Sequence, residues 1–69
     1  MSEVEIILNG DARRVPGPAT LESLLAHLGL DPRTVVVEHN RRIVRRPMLA
    51  DAALAAGDTV ELVHFVGGG

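Results

Sequence analysis

The chain contains no cysteine, so disulfides and thiolate-bound metals are excluded from the outset. Tryptophan and tyrosine are missing as well, and Phe65 is the single aromatic residue. A surface that stacks nucleic-acid bases interleaves aromatics with its basic residues, and the basic stretch from Arg41 to Arg46 contains none. A net charge of −2 gives no reason to expect a nucleic-acid partner either. No apolar run is long enough to span a bilayer. The opening residues, Met1-Ser2-Glu3-Val4-Glu5, are acidic where a secretory leader would be basic. A cytoplasmic protein without a membrane partner is the expectation. Lysine is also absent: the seven basic residues are Arg13, Arg14, Arg33, Arg41, Arg42, Arg45 and Arg46. Codon usage in a GC-rich genome accounts for this simply.

What is present is enough for one small domain. Of 69 residues, 46% are apolar, which argues against disorder. A core this small supplies only ~3–5 kcal/mol of net stability.

Val4, Ile6 and Leu8 recur with the period of two expected of a half-buried strand. Asn9-Gly10 then predicts a tight hairpin, with a returning strand over 12–15. Pro16-Gly17-Pro18 should end that strand, because proline cannot extend a ladder. Leu21, Leu24, Leu25 and Leu28 share one helical face, with Thr20 as N-cap and Gly29 as C-cap. The segment 34–38 is β-branched and reads as a strand, and its consecutive valines suggest cover on both faces. His39-Asn40-Arg41 reads as a turn and 42–44 as a short strand that Pro47 stops. The alanine-rich stretch 48–56 could hold a short helix or a 3₁₀ turn. Gly57-Asp58 is a turn, and 59–66 is the last strand.

One helix can cover only one face of such a sheet. The order therefore predicts an α+β, β-grasp (ubiquitin-like) architecture: a mixed four- to five-stranded sheet with one main helix packed on one face. The first and last strands would be parallel central neighbours. The domain would occupy 1–66, with a flexible glycine tail over 67–69.

That tail, Gly67-Gly68-Gly69, is where chemistry is expected. Glycine carries no Cβ, so such a tail is thin enough to thread a narrow channel. Its last group would be an unencumbered carboxylate. An activated carboxyl there would also meet no side-chain amine on its own chain.

These features together resemble the ubiquitin-like sulfur carriers, and most of all the ThiS family of thiamin thiazole biosynthesis. The resemblance covers the whole chain. Its most specific parts are Asn40-Arg41-Arg42-Ile43-Val44-Arg45-Arg46, Ala56-Gly57-Asp58-Thr59-Val60-Glu61-Leu62, and the glycine end. Pro47-Met48-Leu49 departs from the large residue that relatives often place after the basic segment.

The resemblance implies a carrier, not an enzyme, with no bound cofactor. A ThiF-like adenylating enzyme would use ATP to form an acyl-adenylate on Gly69. Sulfur from a cysteine desulfurase would convert it to a thiocarboxylate, and a ThiG-like thiazole synthase would take the sulfur. Gly68 would belong to the reacting tail, and Gly67 to the partner-binding residues at its root. Other readings are a carrier for molybdopterin or tRNA thiolation, a protein modifier joined to lysines, or a ubiquitin-like binding module with an inert tail.

If Val60, Leu62 and His64 face the helix, then Glu61, Val63 and Phe65 face outward beside the tail and form a partner surface. A one-residue slip would instead bury Phe65, and both registers stay open. Arg41, Arg42, Arg45 and Arg46 suit an edge strand blunted by charge. Docking to an acidic partner, or contact with phosphate or nucleic acid, are the other readings. His27, His39 and His64 lie on separate elements without ligand spacing, so no metal site is expected. Asp58 and Glu61 could be taken for an acid pair, but a turn explains Asp58 better.

Overall fold

The computed structural model describes residues 2–65. Gly67, Gly68 and Gly69, where the sequence puts the reacting end, lie outside the described residues, as does Val66. Five strands and one helix are formed: β1 (Ser2–Leu8), β2 (Asp11–Gly17), α1 (Leu21–Leu28), β3 (Val35–His39), β4 (Arg42–Val44) and β5 (Thr59–His64). Two 3₁₀ turns, Pro32–Thr34 and Arg46–Asp51, lie between them. The strands make one sheet in the order β2-β1-β5-β3-β4. β1 and β5 run parallel, and the other pairs are antiparallel. This is the β-grasp arrangement, with the crossover helix on one face.

Local chemistry sets most of the boundaries. Asn9 and Gly10 both take positive φ, 49° and 89°, as a two-residue hairpin loop requires. β2 nevertheless runs past the expected stop and includes Pro16, which stands opposite Glu3. β2 is an edge strand, so the nitrogen that cannot donate can face the unpartnered side. Thr20 caps α1 as expected: its hydroxyl accepts from Ser23 N–H at 3.1 Å, while Thr20 N–H donates to Ser23 Oγ at 2.9 Å. Gly29 closes the helix in the left-handed region at φ 71°. The second 3₁₀ turn begins earlier than expected. Pro47 sits in its first turn, where no N–H is needed.

The buried apolar residues form one cluster between the sheet and α1. Leu21, Leu24 and Leu25 from the helix meet Ile6, Val15, Val35, Val37 and Val60 from the sheet, and Leu49 and Leu54 close the end. β3 does not have cover on both faces. Val35 and Val37 are buried, whereas Val36 is half-buried on the face without a helix.

The start of β5 is tied down by a compact polar knot. His39 Nε2 lies 2.7 Å from Asp58 Oδ2. Asn40 Nδ2 donates to Asp58 Oδ1 at 3.2 Å, and Ala55 N–H donates to Asp58 Oδ2 at 2.9 Å. Burial pushes the Asp58 carboxyl up. The Ala55 N–H and the His39 and Asn40 side chains outweigh it and hold the group below its ordinary value. Asp58 is therefore a turn residue, not half of an acid pair with Glu61.

Two outcomes are expected. Leu24→Ala should lose about 2–5 kcal/mol, a cavity cost comparable to the whole stability of so small a domain. A urea melt would show the variant largely unfolded at room temperature. For Asp58, a folded pKa below the unfolded one stabilises fully above the ordinary value of 3.8 and is lost as pH falls through the lower folded value. Asp58→Asn should thus be less stable at pH 7 yet lose less than wild type between pH 7 and pH 3. Urea midpoints at both pH values check this.

Candidate functional site

β5 is the strand that leads to the tail, and it lies in the middle of the sheet. Its antiparallel pairing with β3 runs from His39↔Val60 to Val35↔His64, and Phe65 N–H still reaches Thr34 C=O at 2.9 Å. Its pairing with β1 is much shorter, limited to Ile7↔Thr59 and Leu8↔Val60. Beyond that, Asn9 takes over. Its Oδ1 accepts from Leu62 N–H at 2.8 Å, and its Nδ2 donates to Leu62 C=O at 3.4 Å. The amide of Asn9 thus stands in for one further residue of β1. Sequence reasoning saw Asn9 only as a turn residue. The second role bridges 53 positions, and no local signal carries it.

The register of β5 places Val60 and Leu62 on the helix side, where Val60 is fully buried and Leu62 packs against the core. Glu61, Val63 and Phe65 face the opposite side. Val63 is 56% exposed and Phe65 59% exposed. Of the two registers, the structure has the outward one, and Phe65 is not a core residue. His64 lies on the helix side by alternation but is exposed, because the core extends only as far as Leu62.

The helix-free face is therefore apolar near the root of the tail. Val63 stands opposite Val36, and Ile43, 68% exposed on β4 opposite Glu38, lines a cavity with Val36 and Phe65. Farther from the tail the same face becomes acidic, with Glu61 opposite Glu38. Arg41 stands beside both glutamates and lines a shallow cavity with them. Like charges directly across a ladder are unfavourable, and the arginine offsets them.

The predicted polar candidates are not brought together. Among the described residues no group of three His, Asp or Glu side chains is placed to hold a metal. His39 is committed to Asp58, at the end of β5 remote from the tail, and His27 and His64 are on α1 and β5. Near the tail root, the Arg33 guanidinium bonds Asp31 at 2.8 Å and holds that carboxyl down at about 2. Arg46 adds a weaker attraction. The ion pairs within the described residues involve Arg14, Arg33 and His39, and none involves Arg41, Arg42, Arg45 or Arg46.

The ThiS family matches residues 6–69. The chain is 38% identical over 63 residues to the sulfur carrier protein ThiS of Bacillus subtilis, covering 90% of this chain and 96% of that protein. It is 41% identical over 66 residues to the thiazole synthases of Paramagnetospirillum magneticum and Magnetococcus marinus, covering 96% of this chain. In both cases it spans only 20% of the relative's length. The crystal structure of the thiamine biosynthesis protein ThiS from Geobacter metallireducens superposes with a TM-score of 0.81 at 29% identity, over 96% of this chain and 100% of that one. On the match that runs through nearly its whole length, the chain belongs to the ThiS family.

Proposed function

We propose that this protein carries sulfur for thiazole formation in thiamin biosynthesis, with the carboxyl group of Gly69 as the carrying atom. A carboxylate is a poor electrophile and needs activation. A Gly69 carboxylate oxygen attacks the α-phosphate of ATP on a ThiF-like adenylating enzyme, and pyrophosphate leaves. The terminal sulfur of a persulfide delivered from a cysteine desulfurase then attacks the acyl carbon and AMP leaves, and a thiol reductant cleaves the acyl disulfide so formed to release the thiocarboxylate. The thiocarboxylate gives its sulfur to the precursor held by a thiazole synthase, and an oxygen from water or from that precursor takes its place on the acyl carbon, so the carrier returns as carboxylate. The observation that carries this reading is the family match, which extends through Gly69 together with the glycines before it. The two relatives named thiazole synthase support that enzyme as a partner, since they hold a stretch similar to this chain within one polypeptide.

The division of labour follows from the physics. Threading a tail into a partner costs about 1–2 kcal/mol for each residue fixed. A docking surface on the folded body offsets that cost, and Val63 and Phe65 stand nearest to the tail to do so. The charge that develops on phosphate during adenylation is met by groups of the partner. Glycine at 68 keeps the tail narrow, and the same tail can enter two different active sites in turn.

Two measurements test the reading. Incubated with ATP, the adenylating enzyme and a sulfur source, the chain ending in Gly69 should gain the mass difference between one sulfur and one oxygen. Deleting Gly69, or adding one residue beyond it, should abolish that gain while the circular dichroism spectrum stays unchanged. Full conversion of an extended chain that has not been trimmed would refute the assignment. Phe65→Ala should cost about 1–2 kcal/mol in binding to the adenylating enzyme, with stability changed by no more than about 0.5 kcal/mol because the ring is exposed. Titration calorimetry and a thermal melt would separate the two.

A further inference from the structure

The arginine-bearing edge of the sheet is more than a solvated rim. β4 pairs with β3 only along Val37–His39, so the other end of β3 has no strand on that side, β5 lying on its opposite side. The chain leaves β4 through Arg45 and Arg46 and turns away at Pro47. A cavity of ≈ 490 Å³ is left there, lined by Val35, Val36, Ile43 and Phe65, with Arg45 and Arg46 along it. Thr34 C=O bonds β5, so by the alternation of a ladder Val35 turns its own N–H and C=O toward this cleft.

Three properties therefore coincide. The walls are apolar, and two of them, Ile43 and Phe65, are large residues exposed by 68% and 59%. A strand edge stands open. Two arginines without an ion pair among the described residues lie along it. An edge merely blunted by charge needs neither a cleft nor exposed apolar side chains. Because Phe65 belongs to both the cleft and the tail root, whatever accepts the tail also meets the arginines.

We infer that this cleft docks an extended acidic segment of the adenylating partner. An apolar side chain of that segment would seat against Val36, Ile43 and Phe65, and its carboxylates would face Arg45 and Arg46. The segment would add to the open edge of β3 as a strand does. Bidentate arginine–carboxylate contacts set its orientation. The inference rests on the carrier reading above and adds to it the site and the chemistry of the contact.

Stopped-flow association with the ThiF-like adenylating enzyme tests it. The double variant Arg45→Glu/Arg46→Glu should associate about tenfold more slowly at low salt, and its rate should depend less on salt than the wild type's. Arg13→Glu is the control. It lies on β2, four strand spacings or roughly 19 Å from β4, beyond the Debye length at physiological salt. It should change the rate by no more than about twofold. Ile43→Ser, at an exposed position, should speed dissociation while leaving the salt dependence unchanged. Circular dichroism verifies that each variant is folded. Pyrophosphate exchange into ATP supported by the wild-type chain reports the carrier reading separately. If exchange is intact and the double variant associates like wild type, the cleft assignment is overturned and the carrier reading stands. If the wild type supports no exchange, the carrier reading falls and the inferred partner with it. Loss of binding to a single-stranded RNA oligonucleotide, with enzyme association unmoved, would assign the arginines to nucleic acid and also overturn the inference.

Discussion

A strand that must carry the chain out of the domain also lies at the centre of the sheet, and the geometry of the site depends on how β5 is held there. Antiparallel pairing to β3 spans five residues, whereas parallel pairing to β1 supplies only two, so on the β1 side the ladder alone does not fix the strand. Two asparagines in the left-handed region complete the task. Asn40, at φ 50°, accepts from Thr59 N–H at 2.9 Å through its side chain at the start of β5. Asn9, at φ 49°, does the same for Leu62 N–H near its end. Each residue makes a turn with its backbone and satisfies a β5 amide with its side chain. Asparagine combines the two because it tolerates positive φ and carries both a donor and an acceptor. With both ends fixed, the register cannot slip, and Val63 and Phe65 are held on the helix-free face.

That face and the core divide the apolar residues in a way that suits a carrier. Every fully buried side chain belongs to the single cluster under α1. Ile43, Val63 and Phe65 contribute almost nothing to it, although they are among the larger apolar residues of a very small domain. Turned inward, they would add stability that a chain of this size has little of. Their outward placement is intelligible as binding surface, because an isolated exposed apolar residue is ordinary but a cluster on one face is not.

How much of this was legible in the sequence depends on the range of the interaction. α1 and its caps were readable because Leu21, Leu24, Leu25 and Leu28 carry their own period, and Thr20 and Gly29 act on neighbouring amides. The hairpin at Asn9-Gly10 was readable for the same reason. β2 was misjudged at Pro16 because proline's effect depends on whether the strand has one neighbour or two, which is a property of the sheet. The three valines of β3 looked alike in sequence, and only the placement of the single helix distinguishes Val36 from Val35 and Val37. The faces of β5 were undecidable from Glu61 to Phe65 alone, since the choice is made by the ladder with β3 together with Asn9 and Asn40, all distant in the chain. The Asp58 knot was visible only in part: the turn was clear, whereas His39 and Asn40 reach it across 19 and 18 positions.

The charges show the same separation of duties. Carboxylates near the tail-distal end of β5 are used internally: Asp58 in its knot, and Glu38 and Glu61 facing each other beside Arg41. Glu3 and Glu5 on β1 are paired with Arg14 on β2. At the opposite edge, Arg42, Arg45 and Arg46 have no such partner among the described residues, and Arg45 and Arg46 line the cavity to which Phe65 belongs. Exposed ion pairs inside a protein contribute little to its stability, so leaving these cations uncommitted costs the fold almost nothing. In an encounter they act at a distance that apolar contacts cannot. In the docking proposed above, the long-range field would orient the carrier first, and the short-range apolar contacts of Ile43, Val63 and Phe65 would then hold it. Each stage of that docking would draw on residues the fold does not need, so even a domain of such modest stability can leave one face and one edge uncommitted.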